Sequence, residues 1–346
     1  MELETAASTI EVSDSGIVIR WSDGARSRFH SLWLRDNCPT AVTVTDLNPD
    51  VWVMDAFRND DGDLAIEFSD GHETSFGFDW IRAHSHEPHD RLGRSRLVSH
   101  VRAGHELERF DEPSLASKEL LDVFESVSKF GAAVIAGAST GNLPMFHATP
   151  AVVVERDDLV LTPHTDDPYR YVPPAITALQ SPSSAGEVIL VDGFGVANDL
   201  RDEDPDVFDT LSETSIPFRG QGESAQYLAH GPIISLDRDY ELSGIRFDET
   251  AIAPLDLDPG TVGDYYRSLI SFTGEVNNPA RALLVHLEPG DVLLLDNHRL
   301  LHGLSGFERL HKTTIQRDEF HRELRELRQA YERPNVDERF ASGPRP

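Results

Sequence analysis

The chain has 346 residues, 60 of them Asp or Glu against 31 Lys or Arg, so its formal charge is -29, and it holds a single cysteine, Cys38. That balance argues against nucleic acid as a partner, because neutralising phosphates with Lys and Arg dominates such binding, while one cysteine excludes an intramolecular disulfide and fits a reducing compartment. No stretch approaches the roughly 18 uninterrupted apolar residues that span a bilayer and Met1-Glu-Leu-Glu opens no basic-then-apolar leader, so a cytoplasmic protein without a membrane partner is expected.

Residues 1–90 alternate short β-rich runs with Asp-Gly turns at Asp23-Gly24, Asp61-Gly62 and Asp70-Gly71, the pattern of a small antiparallel domain. A polar, arginine-rich stretch, 91–113, reads as a linker, and 114–346 as a second domain. That domain opens with an amphipathic helix over Ser117–Phe130, where Leu120, Leu121, Phe124 and Val127 recur at helical spacing. Gly131 stops it, and Ala132-Ala-Val-Ile135 is the first strand. Asp158-Leu-Val-Leu-Thr-Pro163 has strand character and Asp167-Pro168 ends its ladder. Helices are predicted within 196–213 and 259–275. Residues 282–287, Glu288-Pro-Gly-Asp291 and 292–295 read as strand, tight turn, strand. Thr313-Thr-Ile-Gln-Arg317 reads as a further strand and Phe320–Tyr331 as a C-terminal helix.

The strand ending at Pro163 runs into His164-Thr165-Asp166. On an extended strand residues two apart share a side, so His164 and Asp166 can chelate one ion while Thr165 points away. Far downstream His302, in Asp296-Asn-His-Arg-Leu-Leu-His-Gly303, follows a strand where it can close a triad. Two imidazoles and a carboxylate cover one face of Fe(II) and leave the others open for an oxidisable co-substrate, dioxygen and substrate. Taken alone, the tripeptide is more often a polar turn.

Together with these motifs, Ile17-Val-Ile-Arg-Trp-Ser-Asp-Gly24, the run Phe29 to Pro39, Asp70-Gly-His72, Phe78-Asp-Trp-Ile81, Pro173-Pro174 and Val191-Asp-Gly-Phe194 make the chain resemble the γ-butyrobetaine hydroxylase branch of the taurine dioxygenase-like Fe(II)/2-oxoglutarate oxygenases. The resemblance implies a mainly β protein with flanking helices: a double-stranded β-helix, or jelly roll, behind a small β-rich N-terminal domain. It implies His164, Asp166 and His302 as catalytic iron ligands, with 2-oxoglutarate and O2 as co-substrates. The reaction implied is oxidation, hydroxylation first, of an unactivated C–H, with release of succinate and carbon dioxide. A true γ-butyrobetaine or trimethyllysine hydroxylase, and a catalytically silent iron- or ligand-binding relative, are the alternatives.

In the wider family an arginine downstream of the distal histidine forks onto the far carboxylate of 2-oxoglutarate, a planar match that lysine lacks. Arg317 stands at that spacing and Lys312 is second; a structural role for Arg317, capping the acidic helix after it, is the competing reading. Val188 replaces a hydroxyl residue that helps hold the same carboxylate. The aromatic cage that takes a trimethylammonium group in the relatives is missing, and Arg156 aligns with one of its tyrosines. Asp167, Tyr169, Arg170 and Tyr171 flank the triad, and Arg246 and Asp248 align near another substrate-contacting strand. An arginine facing the pocket favours an anionic or zwitterionic small molecule; surface pairing of Arg156 with Glu155 or Asp158 is the other reading. The relatives' N-terminal zinc uses three cysteines and a histidine, and the matching Cys38, Thr40, Thr43 and His72 keep two donors of four, so no structural zinc is expected. Assembly as a homodimer is expected.

Overall fold

The computed structural model describes residues 7–38, 44–85, 100–101, 104–111, 118–138, 152–182, 185–221 and 224–331, with 152–160 and Glu308 described by backbone alone. These fall into two compact units, one within 1–96 and one within 97–332. Thr40 and Thr43 lie outside the described residues, as does most of the stretch read as a linker.

The first unit holds two antiparallel three-stranded sheets: β1 (Ala7–Ser13), β2 (Gly16–Trp21) and β3 (Arg26–His30), then β4 (Val53–Arg58), β5 (Leu64–Phe68) and β6 (Glu73–Phe76). Each Asp-Gly pair sits in a hairpin turn, with Gly24, Gly62 and Gly71 at φ 85°, 88° and 80°, a region that glycine enters without strain. Short helices Ser31–Asp36 and Phe78–Ala83 follow the two sheets, and Ile19, Trp21, Leu34, Leu64, Ile66, Phe68 and Ile81 make one core. Cys38 is buried in it, and its thiol donates to the Leu34 carbonyl at 3.4 Å.

The second unit is built on β7 (Arg109–Asp111), β8 (Ala132–Ala136), β9 (Val152–His164), β10 (Ile176–Gln180) and β11 (Gly186–Asp192). Two small hairpins follow, β12 (Ile216–Arg219) with β13 (Leu228–Gly231) and β14 (Ile234–Leu236) with β15 (Leu242–Ile245). The chain then returns through β16 (Leu283–Leu287), β17 (Val292–Asp296) and the long β18 (Leu300–Ile315). The large sheet runs β16-β11-β18-β10-β17-β8-β7, with β9 also paired to β18. β18 serves two halves at once: its start pairs with β11, its end with β10, and β9 lies along it. The sheet thereby rolls into a double-stranded β-helix.

Every residue of β10 is buried, the polar Thr177 and Gln180 included, whereas the edge strand β16 alternates buried and exposed. Leu179, Val188, Leu190, Leu293, Leu295, Leu304, Phe307 and Leu310 pack together inside the roll. The opposite face, with Ala133, Ile135, Ile176, Ala178 and Leu294, is covered by the helices Lys118–Phe130 and Arg317–Ala330. A third cluster joins Phe218, Phe247 and Leu301 to Leu200, Leu211, Tyr265 and Phe272, which come from the helices Gly193–Glu203, Pro205–Glu213 and Val262–Val276.

Two elements differ from expectation. The helix predicted within 196–213 is two helices, because Asp204 caps the second through the Val207 amide and Pro205 occupies its first turn, where a missing N–H costs nothing. The strand expected to reach Arg317 ends at Ile315, and Arg317 is instead the first residue of the last helix.

Candidate metal centre

His164 ends β9 and His302 lies near the start of β18, and the two are direct cross-strand partners. Their rings are 4.5 Å apart. Asp166, two residues beyond His164, brings Oδ1 to 3.8 Å from His164 Nε2 and Oδ2 to 3.7 Å from His302 Nε2. One ligand atom from each residue lies within 4.8 Å of the others, and among the described residues no other cluster of metal-ligating side chains does so.

The backbone around the triad is tied at several points. Thr165, just past the end of β9, is held by Phe247: its hydroxyl accepts from the Phe247 amide at 2.9 Å, and its own amide donates to the Phe247 carbonyl at 2.6 Å. Asn297 accepts from the Asp166 amide at 2.6 Å and donates to the carbonyls of Asp166 and Pro174. Gly303 lets β9 and β18 approach: a Cβ there would lie 2.6 Å from the Leu161 carbonyl oxygen. At the same end Arg299 donates from Nη2 to Asp192 Oδ2 at 2.6 Å and from Nε to Oδ1 at 3.2 Å, with both side chains almost fully buried. Asp192 also receives the amides of Val101, Phe194 and Gly195 and faces His100 Nδ1 at 3.3 Å.

The donor chemistry fits a divalent ion. His164 donates Nδ1–H to the Thr162 carbonyl at 2.8 Å, which leaves the Nε2 lone pair for a metal. Burial pushes His302 down to about 3, so its imidazole is neutral, as a ligand must be. Asp166 is fully buried, which opposes ionisation, but the Lys312 ammonium and the two imidazoles outweigh that and hold its carboxyl well below the usual range. Lys312 Nζ donates to Asp166 Oδ1 at 2.7 Å, and the Thr177 hydroxyl donates to Oδ2 at 2.6 Å. His302 Nδ1 is buried without a hydrogen-bond partner among the described residues.

The other sequence-derived candidates separate clearly. Lys312 is at the triad, whereas Arg317 places Nη1 3.4 Å from His298 Nδ1, and His298 in turn faces the Pro173 carbonyl at 3.0 Å. Val188 is fully buried opposite Leu304, on the inner face. Asp167, Tyr169 and Arg170 form one hydrogen-bonded group directly after the triad. Tyr171 is exposed. Arg246 is not turned to an open pocket: Nη1 donates to the carbonyls of Pro168 and Arg170 and Nη2 to that of Tyr171. Asp248 accepts from the amide and hydroxyl of Thr250, a turn contact. The Arg156 side chain lies outside what is described.

Sequence reasoning missed Thr177 and the Asp192–Arg299 pair. Arg299 was visible within the Asp296–Gly303 motif, but Thr177 sits in a short buried strand with no local signal.

A rolled β-sheet carrying two histidines on adjoining strands, with an aspartate just past the end of one of them, is the site of a non-haem iron oxygenase. The model of the family described as taurine catabolism dioxygenase TauD, TfdA family matches residues 136–331, and one described as gamma-butyrobetaine hydroxylase-like, N-terminal, matches 9–82. The chain belongs to the TauD, TfdA family. Similar proteins include gamma-butyrobetaine dioxygenase of Pseudomonas sp. (strain AK-1), 28% identical with 85% of this chain and 87% of the relative covered. The mitochondrial trimethyllysine dioxygenase of Gallus gallus is 25% identical, covering 84% and 80%, and the gamma-butyrobetaine dioxygenase of Homo sapiens 26%, covering 84% and 87%. A taurine dioxygenase structure from Burkholderia xenovorans aligns with TM-score 0.49 at 13% identity over 63% of this chain and 92% of that one.

The protein is therefore an Fe(II)- and 2-oxoglutarate-dependent dioxygenase that hydroxylates a small molecule. Iron, 2-oxoglutarate and O2 together supply the oxidation, which converts the co-substrate to succinate and carbon dioxide.

Proposed function

We propose that His164, Asp166 and His302 hold the iron, and that Lys312 rather than Arg317 takes the distal carboxylate of 2-oxoglutarate. The observation that carries this reading is the 2.7 Å contact from Lys312 to Asp166, since it puts a cation inside the roll next to the metal ligands. Val188 and Leu190 flank the same interior, so a carboxylate there has few other polar partners. Arg317 opens a helix and faces His298, which supports its structural role.

The substrate is read as a small anionic or zwitterionic molecule entering beside Asp167, Tyr169 and Arg170. Support comes from Arg170, whose side chain is 42% exposed and aligned by Asp167. A homodimer is consistent with Tyr266 and Ile270, exposed one turn apart on the helix Val262–Val276. A cytoplasmic location is consistent with the lone buried Cys38 and with the lack of any described helix long and apolar enough to cross a membrane. Succinate formation across a panel of small amines and acids tests the activity. Turnover with none, from protein that binds iron and 2-oxoglutarate, would leave the silent relative as the better reading.

A further inference from the structure

Immediately after the triad the chain carries a cation of its own. Asp167 has φ 52°, a left-handed backbone that Asp and Asn enter more readily than other residues with side chains. Two contacts hold its carboxylate: the Tyr169 hydroxyl donates to Oδ1 at 2.7 Å and Arg170 Nε to Oδ2 at 2.8 Å. Arg246 fastens the following backbone through the carbonyls of Pro168, Arg170 and Tyr171, so its charge is spent on the loop.

Arg170 is also stacked. Its guanidinium carbon lies 4.6 Å over the Tyr227 ring, and that ring stacks on Tyr169 with centroids 6.2 Å apart. The aromatic face best placed to receive a cation is thus already filled. Among the described residues Nη1 and Nη2 of Arg170 make no hydrogen bond, while the Asp167 carboxylate, 24% exposed, already accepts at each oxygen. Asp167 directly follows Asp166 in the chain and holds Tyr169 and Arg170 by hydrogen bonds, so the group stands beside the triad.

We propose that Arg170, paired to Asp167 and stacked on Tyr227, is a specificity-determining residue that grips a substrate carboxylate through Nη1 and Nη2 and keeps a trimethylammonium group off the Tyr227 face. The proposal rests on the oxygenase reading above. Stacking fixes the guanidinium plane and the Nε bond fixes its rotation, which leaves the two terminal nitrogens as a preset fork for a planar oxyanion. A trimethylammonium group has no N–H to give Asp167 and depends on bare π-faces, and here the face carries a like charge.

Calorimetric titration separates the two chemistries. γ-Butyrobetaine and 5,5-dimethylhexanoate share shape and carboxylate and differ in the cationic nitrogen. Each is titrated into the full-length, iron-loaded protein, anaerobically and with 2-oxoglutarate present. The wild type should favour 5,5-dimethylhexanoate by about tenfold or more, and Arg170→Ala should lower that affinity by about tenfold, with Arg170→Lys recovering only part because an ammonium supplies no fork. Arg170→Ala should also narrow the preference between the two ligands. Equal or tighter binding of γ-butyrobetaine by the wild type, binding of neither ligand, or an Arg170→Ala variant that binds 5,5-dimethylhexanoate unchanged each overturns the proposal. Titrating 2-oxoglutarate alone keeps the two readings apart. Its failure to bind the wild type removes the oxygenase reading and the proposal with it, whereas normal binding beside an indifferent Arg170→Ala removes the proposal only.

Discussion

Lys312 donates to Asp166 Oδ1, the oxygen that faces His164, so a cation of the chain and the proposed iron would converge on one carboxylate. In metal-free protein Lys312 is the main neutraliser of a buried charge. Lys312→Met should therefore destabilise the metal-free protein by about 3–5 kcal/mol, the usual cost of breaking a buried pair. A bound divalent ion takes over part of that neutralisation, so thermal melts with and without Fe(II) should show a much smaller loss in the loaded protein. Equal losses in both would mean that the ion does not share Asp166.

His164→Ala removes one of the three proposed ligands and opens the cross-strand pair. Metal analysis after anaerobic loading and desalting should find far less than one iron per chain, with a folded far-ultraviolet spectrum. Full stoichiometry in the variant would place the iron elsewhere.

For the co-substrate, Lys312→Ala should weaken 2-oxoglutarate binding by about 2–5 kcal/mol, as truncating one side of a buried charge pair does. Arg317→Ala should weaken it far less. Titration of the iron-loaded variants decides between them, and the reverse order would return the clamp to Arg317.

Gly303→Ala tests the close approach of β9 and β18. A methyl group 2.6 Å from the Leu161 oxygen must push apart the strands that carry His164 and His302. Iron affinity should fall together with the melting temperature, even though no ligand has changed, whereas Gly24→Ala, with nothing within 4 Å of its Cβ, should leave iron affinity intact.

The Asp192–Arg299 pair predicts an acid limb. Burial opposes the Asp192 charge, but His100, Arg299 and the Val101 amide hold its carboxyl well below the ordinary 3.8. A carboxylate lowered on folding stabilises fully above its unfolded value and loses that contribution as pH falls through the folded one. Stability should hold above about pH 4 and decline below it, and Asp192→Asn should lower the plateau by about 3–5 kcal/mol while flattening the decline. Denaturant midpoints between pH 2 and 7 measure both, and an unchanged slope in the variant would assign the acid sensitivity to other carboxylates.

Much of this was legible before the fold was seen, and for identifiable reasons. The hairpins of the first unit follow from three Asp-Gly turns, and the helix Lys118–Phe130 from apolar spacing ended at Gly131, whose φ is 86°. His164 and Asp166 were expected to share a face of one strand, but β9 ends at His164 and Asp166 lies just beyond it, brought to the histidines by the bend that follows. Arg317 was harder: spacing to His302 counts residues, but β18 stops at Ile315 and turns that arginine into a helix start. The Thr177 hydroxyl meets Asp166 only because β10 lies beside the end of β18, a pairing between distant segments that no local pattern encodes. Arg246 aligned near a substrate-contacting strand, yet three carbonyls of a neighbouring loop claim it, and backbone acceptors are invisible in a list of side chains.

The register that sets His164 across from His302 gives the ion a mechanical meaning as well. An ion held by both would be a removable rivet between two strands far apart in the chain, closing a long loop much as a disulfide does, with chelation in place of reduction. Loss of iron would then be felt first as fraying where β9 meets β18, before any effect on the helices behind the sheet. The enzyme's hold on its metal and the integrity of its largest strand pair would be two readings of one equilibrium.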